Sequence, residues 1–210
     1  GRATGHPAVA STPAASRSWK CGCGKFRAQL SGEPFLAINC HCHSCVAPQR
    51  WLDARYGCGF GPGGVAKAFF FLKDVVLAPG NPPLKFLKVG DKGKNVRSYT
   101  SCCGTGFNTA GGASFPIKGG RPFSRNNIYN SDGSRYSCEP CANIMLDSAF
   151  DDYTHPVDNG VAMDGAAFGG AMKATAGDDT TQHDRGYYKT PDLDVESVPI
   201  TWPKKPKQKL

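Results

Sequence analysis

The chain has 210 residues, 40% of them hydrophobic and 20% charged, with a formal net charge of +8. That length allows one domain with appendages or two small ones, and it can bury a sizeable core without help from disulfides or metals. The 26 glycines and 16 prolines, most of them between short apolar runs, argue against a helical bundle and for short strands joined by turns. No run approaches the ~18 uninterrupted apolar residues of a membrane-spanning helix; the longest, Val65 to Leu77, is broken by Lys67, Lys73 and Asp74. Charge is uneven. Arg2, Arg17, Lys20, Lys25 and Arg27 precede the first acid, Glu33, and Lys204, Lys205, Lys207 and Lys209 crowd the end, so residues 33–202 carry 16 basic against 17 acidic side chains. A nearly neutral body lacks the clustered basic face that releases counterions from phosphates, and no nucleic-acid partner is expected.

In chain order, residues 1–17 are small, polar and Pro-containing and read as an extended arm. Their acid-free, Ser/Ala-rich character, with Gly rather than Met in first place, resembles the mature edge of an organellar precursor, plastid or mitochondrial. Lys25–Leu30 alternates as a strand before Gly32 and Pro34, and Phe35–Ile38 is a second short apolar run. Residues 47–64 read as a Gly/Pro-rich connection. Strands are predicted at 68–72, 75–77, 84–89 and 96–99, with a hairpin-like turn over 90–94, and again at 127–129 and 144–146. No amphipathic helix of three turns is predicted before residue 150. Residues 156–210 read as a low-complexity, extended arm: the Gly/Ala-rich stretch 159–181 buries too little to offset its ordering entropy. Trp202 and the Lys-rich end suggest an anchor to a protein or an anionic membrane surface, peripheral rather than spanning.

Nine of the ten cysteines come in tight groups: Cys21 and Cys23; Cys40, Cys42 and Cys45; Cys102 and Cys103; Cys138 and Cys141; Cys58 stands apart. A disulfide framework spreads its cysteines, because close neighbours cannot bridge without strain. Clustered thiols suit zinc: two on one turn reach a single ion at ~2.3 Å and a distant pair completes the tetrahedron. The glycines of Cys21-Gly22-Cys23-Gly24 permit such a turn, and Cys102-Cys103-Gly104 is the evident partner. Cys40, Cys42 and Cys45 can wrap an ion from one side and leave a fourth position open, which distinguishes a reactive zinc site from a closed one. His41 and His43 are further ligand candidates, but with three thiols present they read as imidazoles beside the site. Cys138 and Cys141 read as buried or paired structural cysteines, a third half-site with Cys58 being the alternative.

Three blocks, Lys20-Cys21-Gly22-Cys23-Gly24, Asn39-Cys40-His41-Cys42-His43-Ser44-Cys45 and Cys102-Cys103-Gly104-Thr105, occur in an order and spacing that resembles the glutathione-dependent formaldehyde-activating enzyme and centromere protein V family. Asn143–Ser148 looks like that family's closing strand, and the resemblance covers residues 18–155. It implies a mostly β fold: a compact, antiparallel, zinc-binding sheet domain over 18–155 flanked by the two arms. It also implies two zinc ions, a closed one on Cys21, Cys23, Cys103 and a further ligand, and an open, catalytic one on Cys40, Cys42 and Cys45. The activity implied is that of a carbon–sulfur lyase, with glutathione as co-substrate in an adduct with formaldehyde. The chain departs from the family pattern at Thr100, where the family has a thiol, and at Val46, where it has a basic residue; the missing thiol is to come either from Cys102, whose adjacency to Cys103 makes reaching one ion harder, or from Cys138 or Cys141. Arg50, Arg55 and Arg97 are the candidates to meet the carboxylates of glutathione. The competing expectation is a catalytically silent accessory subunit of a large organellar assembly, with zinc holding the fold and residues 1–17 and 159–210 binding neighbouring protein subunits.

Overall fold

The computed structural model describes residues 16–31, 36–58, 66–71, 75–93, 95–111, 121–124, 127–136, 142–146, 161–163 and 194–199. Among them are thirteen strands and a single helix, and no helix is long and apolar enough to cross a membrane. The strands are β1 (Ser16–Lys20), β2 (Arg27–Ser31), β3 (Leu36–Cys40), β4 (Ala66–Phe71), β5 (Val75–Leu77), β6 (Leu84–Val89), β7 (Val96–Thr100), β8 (Gly106–Gly111), β9 (Arg121–Ser124), β10 (Ile128–Tyr129), β11 (Ala142–Ile144), β12 (Val161–Met163) and β13 (Val195–Val198); the helix is α1 (His43–Tyr56).

Two sheets form. The smaller runs β10-β1-β2-β5 and is antiparallel throughout; the larger runs β12-β11-β3-β4-β9-β8-β7-β6-β13. The expectation of a mostly β fold holds at that level, but the sheet is mixed rather than purely antiparallel. β11 lies parallel to both β3 and β12, and β13 lies parallel to β6. The outer strands come from chain far downstream, and a parallel neighbour needs such a long connection. β12 and β13 belong to the stretch read as an uncored arm over 156–210, so residues 161–163 and 195–198 pair within the chain's own sheet. The rest of that stretch and residues 1–15 lie outside the described residues.

One core forms where the small sheet covers the large one. Trp19, Cys21, Phe26, Ala28, Leu30 and Ile128 meet Phe107 of β8, with Leu84, Cys102, Cys103 and Tyr136 packed against them. The Trp19, Phe26 and Phe107 rings meet edge to face at 4.8–5.9 Å, a geometry that adds about 0.5–1.5 kcal/mol per pair beyond area burial. β1 alternates with Arg17 and Trp19 inward, and the buried Arg17 guanidinium sits 4.1 Å over the Tyr136 ring. A second core joins α1 to the large sheet: Leu52 of the helix packs with Leu87, Tyr99 and Val198, and Trp51 and Tyr56 close around them.

Residues 59–64 of the stretch read as a loop over 47–64 lie outside the described residues, but 47–56 belong to the helix. Cys42 is its extended N-cap, and Gly57, at φ +63° with its N–H on the Asp53 carbonyl at 2.7 Å, is its left-handed end. Pro48 lies inside it, two residues past the first turn, and the buried side chains form two pairs at helical spacing, His43 with Val46 and Pro48 with Leu52, on opposite sides rather than in one stripe.

Candidate metal centre

Two sets of thiols converge. The first joins the β1–β2 turn to the β7–β8 turn. Cys21, Cys23, Cys102 and Cys103 place their four sulfurs within 4.8 Å of one another. Individual separations are 3.5 Å for Cys21–Cys23, 3.7 Å for Cys21–Cys102, 3.4 Å for Cys23–Cys102 and 3.9 Å for Cys102–Cys103. Four sulfurs each ~2.3 Å from a tetrahedral ion stand about 3.8 Å apart, so the set fits one soft divalent cation. The turns are built for this. The Phe26 N–H points at Cys21 Sγ at 3.2 Å, Gly24 takes φ +74°, and Gly22 N–H donates to Thr105 Oγ1 at 3.0 Å. On the other side Gly104 takes φ +70° and donates to the Thr100 carbonyl at 2.9 Å. Cys102 and Cys103 are adjacent, yet both join the cluster, and Thr100 sits behind them with Oγ1 3.5 Å from Cys103 Sγ. Burial raises Cys102 to about 12, helped by the neighbouring Cys23 thiol. Burial pushes Cys103 up as well, but its hydrogen bonds with Thr100 and Thr105 outweigh that and hold it at about 6.

The second set forms where β3 runs into α1. Cys40 ends the strand, Cys42 caps the helix and Cys45 lies in its first turn, with the three sulfurs within 4.8 Å and Cys40 and Cys42 3.5 Å apart. Cys45 N–H and Val46 N–H both donate to the Cys42 carbonyl at 3.0 Å, which folds the chain back so that Cys42 and Cys45 share a side. No acidic residue occupies the first turn, so the positive helix end faces the sulfurs unopposed. Arg97 of β7 donates to Ser44 Oγ at 3.0 Å and reaches Cys45 Sγ at 3.8 Å. Hydrogen bonds from Cys40 and Cys42, with Arg97 adding to them, hold the Cys45 thiol well below its ordinary value against the opposing effect of burial. Cys40 moves well up, through its hydrogen bonds with Cys42 and Cys45 and through burial. A hydrogen bond with Cys40 lowers Cys42, but Cys45 and burial prevail and raise it to about 12. Of the three sulfurs, Cys45 is therefore the one most easily deprotonated, and it lies within reach of the other two.

No fourth His, Cys, Asp or Glu donor joins this set among the described residues. His41 and His43 are buried beside it; His41 Nε2 lies 3.0 Å from Asn143 Oδ1. Cys58 is exposed at the far end of α1 and belongs to neither set, and Cys138 and Cys141 lie outside the described residues. Of the three arginines expected near the cluster, Arg97 is there. Arg55 lies ten residues, about 15 Å along the helix, from Cys45, and pairs with Glu196 at 3.1 Å. Arg50 lies between them on α1. Sequence reasoning missed Asn143 and Ser44 as neighbours of the cluster. Asn143 opens the run singled out as a closing strand and Ser44 stands inside the Cys40–Cys45 block, but neither residue type at its position signalled these contacts.

Both clusters could hold a metal ion; all-sulfur donors on compact turns suit zinc and other thiophilic cations and do not suit magnesium or calcium. Compared with known proteins, the chain matches no family model and no curated protein.

Proposed function

We propose that the chain is a zinc-binding protein with one closed and one open site, and that the open site on Cys40, Cys42 and Cys45 serves carbon–sulfur bond cleavage in an adduct of glutathione and formaldehyde. The observation that carries this reading is the three-sulfur set: three convergent thiols, a cation at Cys45, and no fourth donor among the described residues. Cys40, Cys42 and Cys45 would hold the zinc, which would supply Lewis acidity toward a thiolate or a carbonyl oxygen. Three thiolates leave such a centre with one negative charge, and Arg97 offsets it from the β7 side. The three thiols would give up their protons on loading, Cys45 most easily, because its neighbours and Arg97 lower its pKa. The reaction breaks the bond between the hydroxymethyl carbon and sulfur. The electron pair goes to sulfur, the carbinol proton leaves the oxygen as the carbonyl forms, and no oxidant is needed. The family resemblance set out above supports the choice of substrate.

The test is cobalt substitution. Glutathione should shift the visible spectrum of the Cys40 cluster, formaldehyde should shift it further, and a Cys40/Cys42/Cys45→Ser protein should show neither response. An unchanged wild-type spectrum at saturating glutathione overturns the reading.

A further inference from the structure

The Cys40–Cys42 link is held from outside its own segment. β3 and β11 pair in parallel with Asn39 opposite Asn143 and Cys40 opposite Ile144, and the ladder continues one step beyond the strand as His41 N–H donates to the Ile144 carbonyl at 3.1 Å. The side chains repeat the linkage. Asn143 Oδ1 accepts from Asn39 Nδ2 at 3.1 Å and lies 3.0 Å from His41 Nε2. An amide oxygen only accepts, so His41 carries its hydrogen on Nε2 in this contact. All three side chains are buried: Asn39 is 0% exposed, His41 1% and Asn143 7%. One oxygen from a strand more than 100 residues downstream thus holds the residue before Cys40 and the residue between Cys40 and Cys42.

We infer that Asn143 is a positioning residue for the three-sulfur cluster, setting the Cys40-His41-Cys42 geometry through Asn39 and His41. This rests on the reading of that cluster as a metal site. His41 occupies the single position between two ligands, so its ring orientation fixes the backbone that aims both sulfurs. Groups hydrogen-bonded behind a ligand set hold it in place, and their loss typically lowers metal affinity about 10–100-fold. The four-sulfur cluster has a different support, made from Thr100, Thr105 and the Gly22 amide, and none of it runs through β11.

Cadmium-113 resonances of the full chain, with cadmium titrated into the metal-free protein, separate a four-sulfur site from a three-sulfur site and give each its own affinity. Asn143→Leu, similar in size but unable to accept a hydrogen bond, should weaken the three-sulfur site about 10–100-fold and leave the four-sulfur site unchanged. Asn143→Asp keeps an acceptor for both donors and should lie closer to wild type than the Leu variant. Asn108→Leu removes another buried Asn, one that accepts from Ser98 Oγ at 2.6 Å, and controls for general loss of stability. Equal affinity in wild type and Asn143→Leu overturns the inference, as does equal weakening of both sites or the same loss in Asn108→Leu. If wild type itself shows no three-sulfur resonance, the metal reading fails first and this inference with it. If wild type shows it and the variants behave alike, only this inference fails.

Discussion

The four-sulfur cluster is made where two turns meet across the sandwich, whereas the three-sulfur cluster is made where a strand runs into a helix. In the first, each sulfur comes from a turn between strands of the small or large sheet, and the cluster abuts the Trp19–Phe26–Phe107 core. In the second, the donors sit at a helix start with a guanidinium alongside. The same donor chemistry thus occurs once as four sulfurs shared between two turns and once as three sulfurs from a single strand-to-helix junction. Four sulfurs satisfy a tetrahedral ion and leave it nothing to exchange, while three leave a position to fill.

The largest expected effect breaks or sustains that contrast. Cys103→Ser should cost on the order of 4–5 kcal/mol of stability, since loss of a structural ion belongs with the largest single-residue effects; Cys45→Ser should cost much less while also losing one ion per chain. Thermal unfolding with metal analysis reads both, and equal losses would erase the distinction. Gly104→Ala comes next. Its φ of +70° disfavours a side chain, and the added Cβ would overlap the Tyr56 ring, for a total of about 2–4 kcal/mol from backbone strain and overpacking. Chemical denaturation checks it, and a neutral result would mean that the β7–β8 turn is not pressed against the helix.

Tyr99→Phe should cost about 1–2 kcal/mol, because the hydroxyl donates to Glu196 Oε1 at 2.6 Å and ties β13 to the helix side of the sheet. Burial, with Glu196 adding to it, raises the Tyr99 phenol above its ordinary value near 10. The folded protein therefore keeps that proton to higher pH than the unfolded chain does. The resulting stabilisation is complete below about pH 10 and lost as pH rises through the folded-state value. Hydrogen exchange at the Gly90 amide, which donates to the Val198 carbonyl at 2.9 Å, should show β13 loosening in alkali, with a weaker pH dependence in Tyr99→Phe. The smallest effect changes sign with metal. Cys42 caps α1 at φ −65°, ψ 148° without a side-chain hydrogen bond to the helix, and serine is a favoured cap worth about 1 kcal/mol. Cys42→Ser should stabilise the metal-free protein slightly and abolish the open ion site, which paired melts with and without zinc would reveal.

Much of this layout was readable from residues. The alternation at Lys25–Leu30, the apolar runs at 35–38, 68–72, 75–77 and 84–89, and the turn over 90–94 overlap the strands and the turn found. The cysteine spacing marked both groups of sulfurs that converge. β1 was hidden because Arg17 reads as a charge in a polar arm, and its burial depends on the Tyr136 ring more than 100 residues away. α1 was hidden because Pro48 and the glycines after residue 56 weighed together as loop composition, although Arg55 followed by Gly57 was a usable stop signal. The parallel edges were out of reach, since nothing local to 142–144 or 195–198 names its partner.

The helix ties the two sulfur clusters to one length scale. Its 14 residues, about 21 Å of rise, begin at Cys42 and Cys45 and end with Tyr56 pressed against Gly104, beside Cys103. Adding or deleting one residue between Cys45 and Tyr56 would swing the far end by about 100° and 1.5 Å. The tyrosine would leave the glycine, and the arginine at its shoulder would lose Glu196. That stretch is consequently intolerant of insertions and deletions, and related chains should vary in length only outside it.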